Sequence, residues 1–196
     1  MNRPVLHAAI AFITATCSLL AQPRVRAPSH CGDRVVGLSL CLSSTADPEV
    51  LSLEVRNDTG VGALVDIGVM LANGTGQYPR NLTLLLRDSS GRESEGSSLD
   101  PGGVAGRLDP LVLALPPGAS TRLPLRVSRY LFRGIGTSNV TSFAPGQRYA
   151  VRVKLTARQP SASELNLDVK GLASLAYWTG SAISNPILVA WPATAR

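Results

Sequence analysis

Two cysteines and a histidine near the start of the chain are the residues best suited to redox or metal chemistry. His30, Cys31 and Cys41 lie close together in the sequence. Thiolate and imidazole groups bind soft metal ions, and two cysteines form a disulfide in an oxidising compartment. We expect no metal or other cofactor, because His30 and Cys31 fall in a predicted flexible terminus. A disulfide between Cys31 and Cys41 stays open, with unbridged thiols as the alternative.

Geometry sets the condition for that disulfide. Bridged Cα atoms lie about 5.5 Å apart, whereas ten residues of straight strand span roughly 33 Å. The chain must therefore fold back between the two cysteines, and Gly32 and Gly37 are the positions that favour such a reversal.

The histidine content argues against the common forms of nucleophilic catalysis. The chain has two histidines: His7 lies in a leader segment, and His30 lies beside the predicted mature terminus. A Ser-His-Asp or Cys-His site needs a histidine that the fold holds in place. Asp66 alternates with Val65 and Ile67, so we expect its carboxylate on the solvent face of a strand. The sequence therefore predicts no catalytic, cofactor-binding or metal-binding residue, and a protein that is not an enzyme.

The segment 1–27 has the layout of a secretory signal peptide. A basic start precedes a mostly apolar run over residues 5–21, and small residues precede a cleavage site at Ala27. Cleavage there leaves residues 28–34 as a flexible mature N-terminus, and cleavage after Ala21 is the alternative. The apolar run is shorter than the about 20 residues of a membrane span. We therefore expect a secreted or periplasmic protein with no stable membrane span after signal removal.

Charge and aromatic content bear on the class of partner. The chain carries 19 Lys and Arg residues against 13 Asp and Glu residues, for a formal net charge of +6. Some of the arginines lie in the predicted signal peptide, and the others are scattered, with no basic run that is interleaved with aromatic residues. A nucleic-acid surface needs such a cluster, so we expect no nucleic-acid partner.

From residue 35 onward, short alternating runs of apolar residues are separated by turn residues. Leu51 and Leu53 fall on one face of a predicted strand, and Val151 and Val153 fall on one face of another. Alternation with a period of two is typical of half-buried antiparallel strands. We therefore predict an all-β fold, an antiparallel β-sandwich of about 7–9 strands over residues 35–192.

The predicted strand over residues 120–127 contains Pro124. Proline has no N–H to donate to a neighbouring strand. This strand is therefore predicted to lie at a sheet edge, or to carry a bulge at this residue.

Two stretches interrupt the rhythm of strands and turns. Residues 89–107 are rich in Ser, Gly and Glu, and residues 128–144 are irregular. Both are predicted to be long surface loops, where binding function concentrates on rigid scaffolds. The aromatic residues of the second loop, which are predicted to bind an unknown protein or carbohydrate partner, are Tyr130, Phe132 and Phe143.

Four Asn-x-Ser/Thr sequons begin at Asn57, Asn73, Asn81 and Asn139. All lie at predicted turns or strand ends, where a glycan would be tolerated in a eukaryotic secretory protein. The Arg-rich, Lys-poor composition is typical of a GC-rich bacterial genome. We therefore interpret the four asparagines as turn residues.

Two segments resemble turns of immunoglobulin-like sandwiches. Residues 115–120 (Leu-Pro-Pro-Gly-Ala-Ser) resemble the turn into the fifth strand of many bacterial immunoglobulin-like domains. Residues 145–151 (Pro-Gly-Gln-Arg-Tyr-Ala-Val) resemble the start of the sixth strand, where a tyrosine hydroxyl bonds nearby backbone. The resemblance implies that Tyr149 packs inward and that its hydroxyl bonds backbone near residues 144–146.

Two further segments carry a family resemblance. Residues 104–110 (Val-Ala-Gly-Arg-Leu-Asp-Pro) and 177–185 (Tyr-Trp-Thr-Gly-Ser-Ala-Ile-Ser-Asn) are similar to segments of uncharacterised secreted bacterial proteins with an immunoglobulin-like β-sandwich domain. The resemblance covers roughly residues 35–191. It implies a fold and no particular activity, because such sandwiches host unrelated functions.

These observations together predict a secreted, non-enzymatic, immunoglobulin-like module for binding or structural support. A proteinase inhibitor of the immunoglobulin-like sandwich type is the first alternative, because such inhibitors present a loop to a protease. An extracytoplasmic enzyme of unknown class is the second alternative.

Overall fold

The structure, a computed structural model, describes residues 30–71, 76–99, 107–135, 146–160 and 177–190. The predicted signal peptide, residues 1–27, lies outside this range. In the described residues the fold is all-β and sandwich-like, as predicted. The same residues contain no helical segment with the length and apolarity of a membrane span. The strands are β1 (His30–Cys31), β2 (Leu38–Ser44), β3 (Val50–Asn57), β4 (Ala63–Leu71), β5 (Gln77–Tyr78), β6 (Leu82–Arg87), β7 (Glu93–Ser98), β8 (Leu108–Leu115), β9 (Ser120–Arg126), β10 (Tyr130–Gly134), β11 (Arg148–Ala157), β12 (Gly180–Ile183) and β13 (Ile187–Ala190).

The strands form three antiparallel sheets. The first has the order β1-β2-β3-β9, and the third has the order β5-β4-β8. The second has the order β10-β7-β6-β11, and β12 and β13 both pair with β11. The described residues hold more strands than the 7–9 predicted, because β1 and β5 are too short to show alternation and β7 and β10 lie in the two segments predicted as loops.

Apolar faces of the sheets meet in one core. The predicted alternation is confirmed in β3 and β11, where Leu51, Leu53, Val151 and Val153 are each at most 1 % exposed. Full burial of such a side chain stabilises the fold by about 1.5–3 kcal/mol. The sequence pattern therefore identified both the strands and their buried faces.

The chain reverses between the two cysteines, which meets the condition set for their disulfide. Val36 and Gly37 have φ angles of +47° and +78°. Val35 and Leu38, on either side, exchange two N–H···O bonds of 2.9 Å. These features define a two-residue type I′ hairpin turn. Cys31 and Cys41 then lie opposite each other on β1 and β2 and form a disulfide.

This hairpin includes residues 30–34, the described part of the N-terminus that was predicted to be flexible at residues 28–34. The disulfide ties β1 to β2, and the Gly32 N–H donates to the Leu40 carbonyl at 2.8 Å. Residues 30–34 therefore belong to the folded domain, and the boundary predicted at residue 35 falls inside the hairpin.

The loops predicted at residues 89–107 and 128–144 each contain a strand, β7 and β10, which pair with each other. Gly96 of β7 lies opposite Phe132 of β10, and a Cβ atom at Gly96 would stand 2.3 Å from the Phe132 ring. Because glycine has no side chain, the Phe132 ring has room to lie across β7. Because β7 contains no apolar side chain, alternation could not reveal it, and it forms through backbone pairing with β6 and β10.

The solvent-face position predicted for Asp66 is wrong, because its side chain is only 6 % exposed. The register of β4 against β8 shifts between Asp66 and Gly68, which is a β-bulge that re-aims the local side chains. Asp66 Oδ1 accepts the Gly68 N–H at 3.0 Å. The backbone of residues 78–80 lies so close to Gly68 that a Cβ atom would not fit. This part of β4 is therefore covered on both faces.

Two connections change sheet at one corner. The β3–β4 connection leads from the first sheet to the third, and the β8–β9 connection leads back. Asn57, which is 2 % exposed, bonds both connections. Its Nδ2 donates to the carbonyls of Val61 (2.7 Å), Leu115 (3.0 Å) and Pro116 (3.1 Å). Its Oδ1 accepts the Thr59 N–H (3.1 Å) and the Thr59 hydroxyl (2.6 Å).

The hydrogen bonds at the corner also determine whether the sequon at Asn57 can carry a glycan. The amide nitrogen that a glycan would modify is buried and donates to backbone carbonyls, so the folded chain cannot carry a glycan there. Asn81 Nδ2 donates to the Asp66 carbonyl at 3.1 Å. Asn73 and Asn139 lie outside the described residues.

Replacing Asn57 with Ala is expected to lower the free energy of unfolding by about 3 kcal/mol, because several buried hydrogen bonds are lost and their partners are left unpaired. Asn185→Ala, at an exposed position, is the matched control and should change that free energy by less than about 0.5 kcal/mol. Urea denaturation followed by tryptophan fluorescence measures both variants. Equal losses of stability would contradict the role of Asn57 at the corner.

Candidate functional site

A cavity of about 610 Å³ opens where the three sheets meet, and we call it the seam cavity. Binding sites for small molecules have volumes of roughly 300–1,000 Å³. The strands β5, β9 and β10 are sheet edges beside it, and no ladder joins them to one another in the described residues. Its lining includes Val50, Leu111, Leu123, Leu125, Arg129 and Tyr130.

The wall from the first sheet follows from the sequence of β9. Pro124 predicted an edge strand, and this is confirmed, because β9 pairs only with β3 among the described strands. Proline cannot donate to a further strand on the open side. Leu123 and Leu125 flank Pro124 in the cavity wall. The edge strand β9, in which Pro124 cannot donate a hydrogen bond to a further strand, therefore borders the opening of the seam cavity.

The wall is mostly aliphatic, with polar groups at a few positions. Leu111 of the third sheet and Leu82 of the second face the same space as Leu123 and Leu125 of the first. None of the lining residues that the structure describes is a histidine, an aspartate or a glutamate. The leucines of this wall can contact an apolar molecule, and its described residues provide no imidazole or carboxylate to move a proton.

Two arginines border the cavity, and they differ in whether a described acidic side chain pairs with them. Arg126 pairs with Glu49 at 3.5 Å and lies 4.0 Å from a carboxylate oxygen of Asp47. The guanidinium of Arg129 forms no ion pair with any described residue. The backbone carbonyl of Arg129 accepts the Leu99 N–H at 2.8 Å, which fixes the position of this residue. Arg129 therefore carries the uncompensated positive charge at the cavity.

Tyr130 lines the cavity and is 7 % exposed. Its hydroxyl is buried without a hydrogen-bond partner in the described part of the chain. Burial raises the pKa of the Tyr130 hydroxyl, so this group stays protonated at neutral pH. A buried donor without a partner costs about 1–3 kcal/mol. The fold therefore keeps a polar group beside the cavity at the expense of stability.

The structure corrects the placement of Tyr130 and Phe132 in an exposed binding loop. Both lie on β10, both are buried, and their ring centroids are 6.5 Å apart. Pairing of β10 with β7 turns the two alternate side chains toward the core. Tyr130 reaches the seam cavity, whereas Phe132 does not line it. Phe143, the third residue of the predicted set, lies outside the described residues.

The disulfide of Cys31 and Cys41 is not part of the cavity lining. Within the described ranges, no three residues of the His, Cys, Asp and Glu types come together in an arrangement that could hold a metal ion. The disulfide thus acts on the first hairpin, where it links β1 to β2.

Tyr149 is buried, as the turn resemblance implies, and its hydroxyl donates to Gln147 Oε1 at 2.9 Å. The bond expected between this hydroxyl and backbone near residues 144–146 stays a prediction. Residues 144 and 145 lie outside the described part of the chain. The bond to Gln147 ties the start of β11 to the turn that precedes it.

A second cavity, of about 280 Å³, lies beside the bulge of β4 and contains charged residues. The Asp109 carboxylate there is paired with Arg107 at 2.8 Å, and Asp66 accepts the Gly68 N–H. These bonds occupy both carboxylates with contacts inside the protein. The seam cavity is therefore the stronger candidate for a site.

The sequence did not reveal the seam cavity. The apolar pattern places Leu111 and Leu123 at ordinary core positions, although the structure leaves both only partly buried. Pro124 was the one available signal, because it marks the edge strand that leaves the cavity open. The meeting of three sheets is a long-range feature that no local pattern encodes.

No family model, curated protein or solved structure matches this chain. The family resemblance of residues 104–110 and 177–185 stays a prediction. The function must therefore be inferred from the geometry and chemistry of the seam cavity.

Replacing Tyr130 with Phe is expected to raise the free energy of unfolding by about 1 kcal/mol, because it removes a buried hydroxyl that has no partner and keeps the ring. Tyr149→Phe is the matched control. It removes a hydroxyl that donates to Gln147, and it should lower the same free energy by about 1 kcal/mol. Urea denaturation of both variants gives the comparison. A loss of stability in Tyr130→Phe would show that its hydroxyl has a partner in the folded protein.

Proposed function

We propose that this chain is an exported, non-enzymatic, immunoglobulin-like module that binds an apolar small molecule in the seam cavity. The observation that carries the proposal is the cavity itself. It has the volume of a small-molecule site, an aliphatic wall, and an opening between sheet edges.

The strand order of the first two sheets supports the immunoglobulin-like part of the proposal. In that fold, strands A, B and E are neighbours in one sheet, and strands C, F and G are neighbours in the other. The orders β2-β3-β9 and β6-β11-β12 follow the same sequence of neighbours. Tyr149 then lies near the start of the strand equivalent to F, where the corner tyrosine of such domains occurs.

Two features support export. Residues 1–27 have the layout of a signal peptide. The disulfide between Cys31 and Cys41 is a bond that forms and persists in oxidising compartments. Both features favour a secreted or periplasmic location.

The chemistry of the wall favours binding over catalysis and favours an apolar ligand over a carbohydrate or a nucleic acid. Without an imidazole or a carboxylate in the described lining, the cavity has no conventional general base. Two of the aromatic residues that were predicted to bind a protein or carbohydrate partner, Tyr130 and Phe132, are buried. The leucines that remain at the cavity contribute apolar surface, which attracts an apolar molecule out of water.

The proteinase-inhibitor alternative receives no comparable support from the described residues. The most exposed apolar side chain there belongs to Val36. Val36 lies in a two-residue hairpin turn with a positive φ, and such a turn cannot extend into a protease cleft as a strand. Small-molecule binding is therefore the one function that we propose.

A neutral solvatochromic dye tests the proposal. Nile red is expected to bind the mature protein at one site with increased fluorescence, and Leu111→Trp should weaken that binding, because the larger side chain occupies part of the cavity. Leu188→Trp is the matched control, since Leu188 is 73 % exposed and lies on β13, away from the cavity lining. Dye binding that is equal in the wild type and both variants would contradict the seam cavity as the site.

A further inference from the structure

The charge at the mouth of the seam cavity bears on the class of ligand. Arg126 and Arg129 are the charged residues of the described lining. The charge of Arg126 is already compensated by Glu49 and Asp47, at 3.5 Å and 4.0 Å. Arg129 forms no ion pair in the described part of the chain. The mouth therefore offers one free guanidinium.

The position of Arg129 places that guanidinium between water and an apolar interior. Arg129 is exposed and ends the 3₁₀ turn that connects β9 to β10. Tyr130 follows it directly, is buried, and lines the cavity. Leu99, which is 48 % exposed, is an apolar part of the same lining, and its N–H bonds the Arg129 carbonyl. Between the Arg129 guanidinium and the cavity lining beside it, the protein surface therefore changes from positively charged to apolar.

An amphiphile with one anionic end matches this change. We propose that the seam cavity binds a soluble, single-chain aliphatic carboxylate, with its hydrocarbon chain inside and its carboxylate on Arg129. This inference rests on the binding function proposed above and adds the class of ligand. A guanidinium forms paired, parallel hydrogen bonds with a carboxylate, and one guanidinium balances one negative charge. The aliphatic lining, which includes Leu111, Leu123 and Leu125, matches a hydrocarbon chain.

The buried hydroxyl of Tyr130 is a second unusual feature of the cavity lining. This residue is more than nine-tenths buried, lines the cavity, and holds a donor without a partner in the described part of the chain. Buried polar groups in native proteins are nearly always bonded, and the exceptions often mark functional sites.

Displacement of Nile red from the mature protein by laurate and by dodecanol tests the assignment, because the two compounds share a chain length and differ at the head group. Both are used below the concentrations at which they aggregate. Laurate is expected to bind about tenfold more tightly than dodecanol. The difference should shrink as salt concentration is raised, because ions screen an exposed charge pair.

Arg129→Gln should remove the preference for laurate and leave the affinity for dodecanol unchanged. Arg133→Gln is the matched control, because Arg133 is an exposed arginine on β10 that is not part of the lining. It should keep the preference. Thermal unfolding of both variants confirms that they are folded.

The possible outcomes separate this inference from the function on which it rests. Equal affinities for laurate and dodecanol in the wild type would overturn the carboxylate assignment and leave apolar binding in place. A preference for laurate that persists in Arg129→Gln, or that is lost in Arg133→Gln, would overturn the role of Arg129. Failure of both compounds to displace the dye, or failure of the dye to bind, would overturn the binding function as well.

Discussion

The corner at Asn57 is the constraint on which the seam cavity depends. Its side chain bonds the β3–β4 connection to the β8–β9 connection, and so joins the first and third sheets at one end. The β3–β9 pair runs from Arg56 opposite Ser120, near the corner, to Val50 opposite Arg126, beside the cavity. Residues of both sheets line the seam cavity, at the end of β9 that is opposite the corner. The position of the cavity therefore depends on how the corner joins these two sheets.

The sequence predicted the features that local patterns encode. Alternation identified β3 and β11 and their buried faces, and Pro124 identified an edge strand, because burial and backbone donors act on single strands. The strand β7 was missed, because Ser94 and Gly96 provide no apolar signal and the strand is specified by its neighbours. The third sheet and the burial of Asp66 were missed for the same reason, since both depend on which distant segments cover β4.

Two residues break local rules, and each does so where long-range structure compensates. Val36 is β-branched and has a positive φ, a combination that sterics disfavour. The hydrogen-bonded pair of Val35 and Leu38 fixes a two-residue turn that requires this conformation, and the disulfide ties together the two strands beyond it. Tyr130 keeps a buried hydroxyl without a partner among the described residues. Departures of this kind concentrate at strained or functional sites, and Tyr130 lies at the candidate site.

A ligand is proposed to enter the space between the three sheets. Methyl NMR of the protein, with labelled leucine, detects this entry during a titration with dodecanol. We expect shifts in the methyl signals of Leu111, Leu123 and Leu125, which come from two different sheets. We expect no shift for exposed Leu188 or for Leu40 in the packed core. Shifts centred on Leu188, or no shift at the three lining leucines, would contradict it.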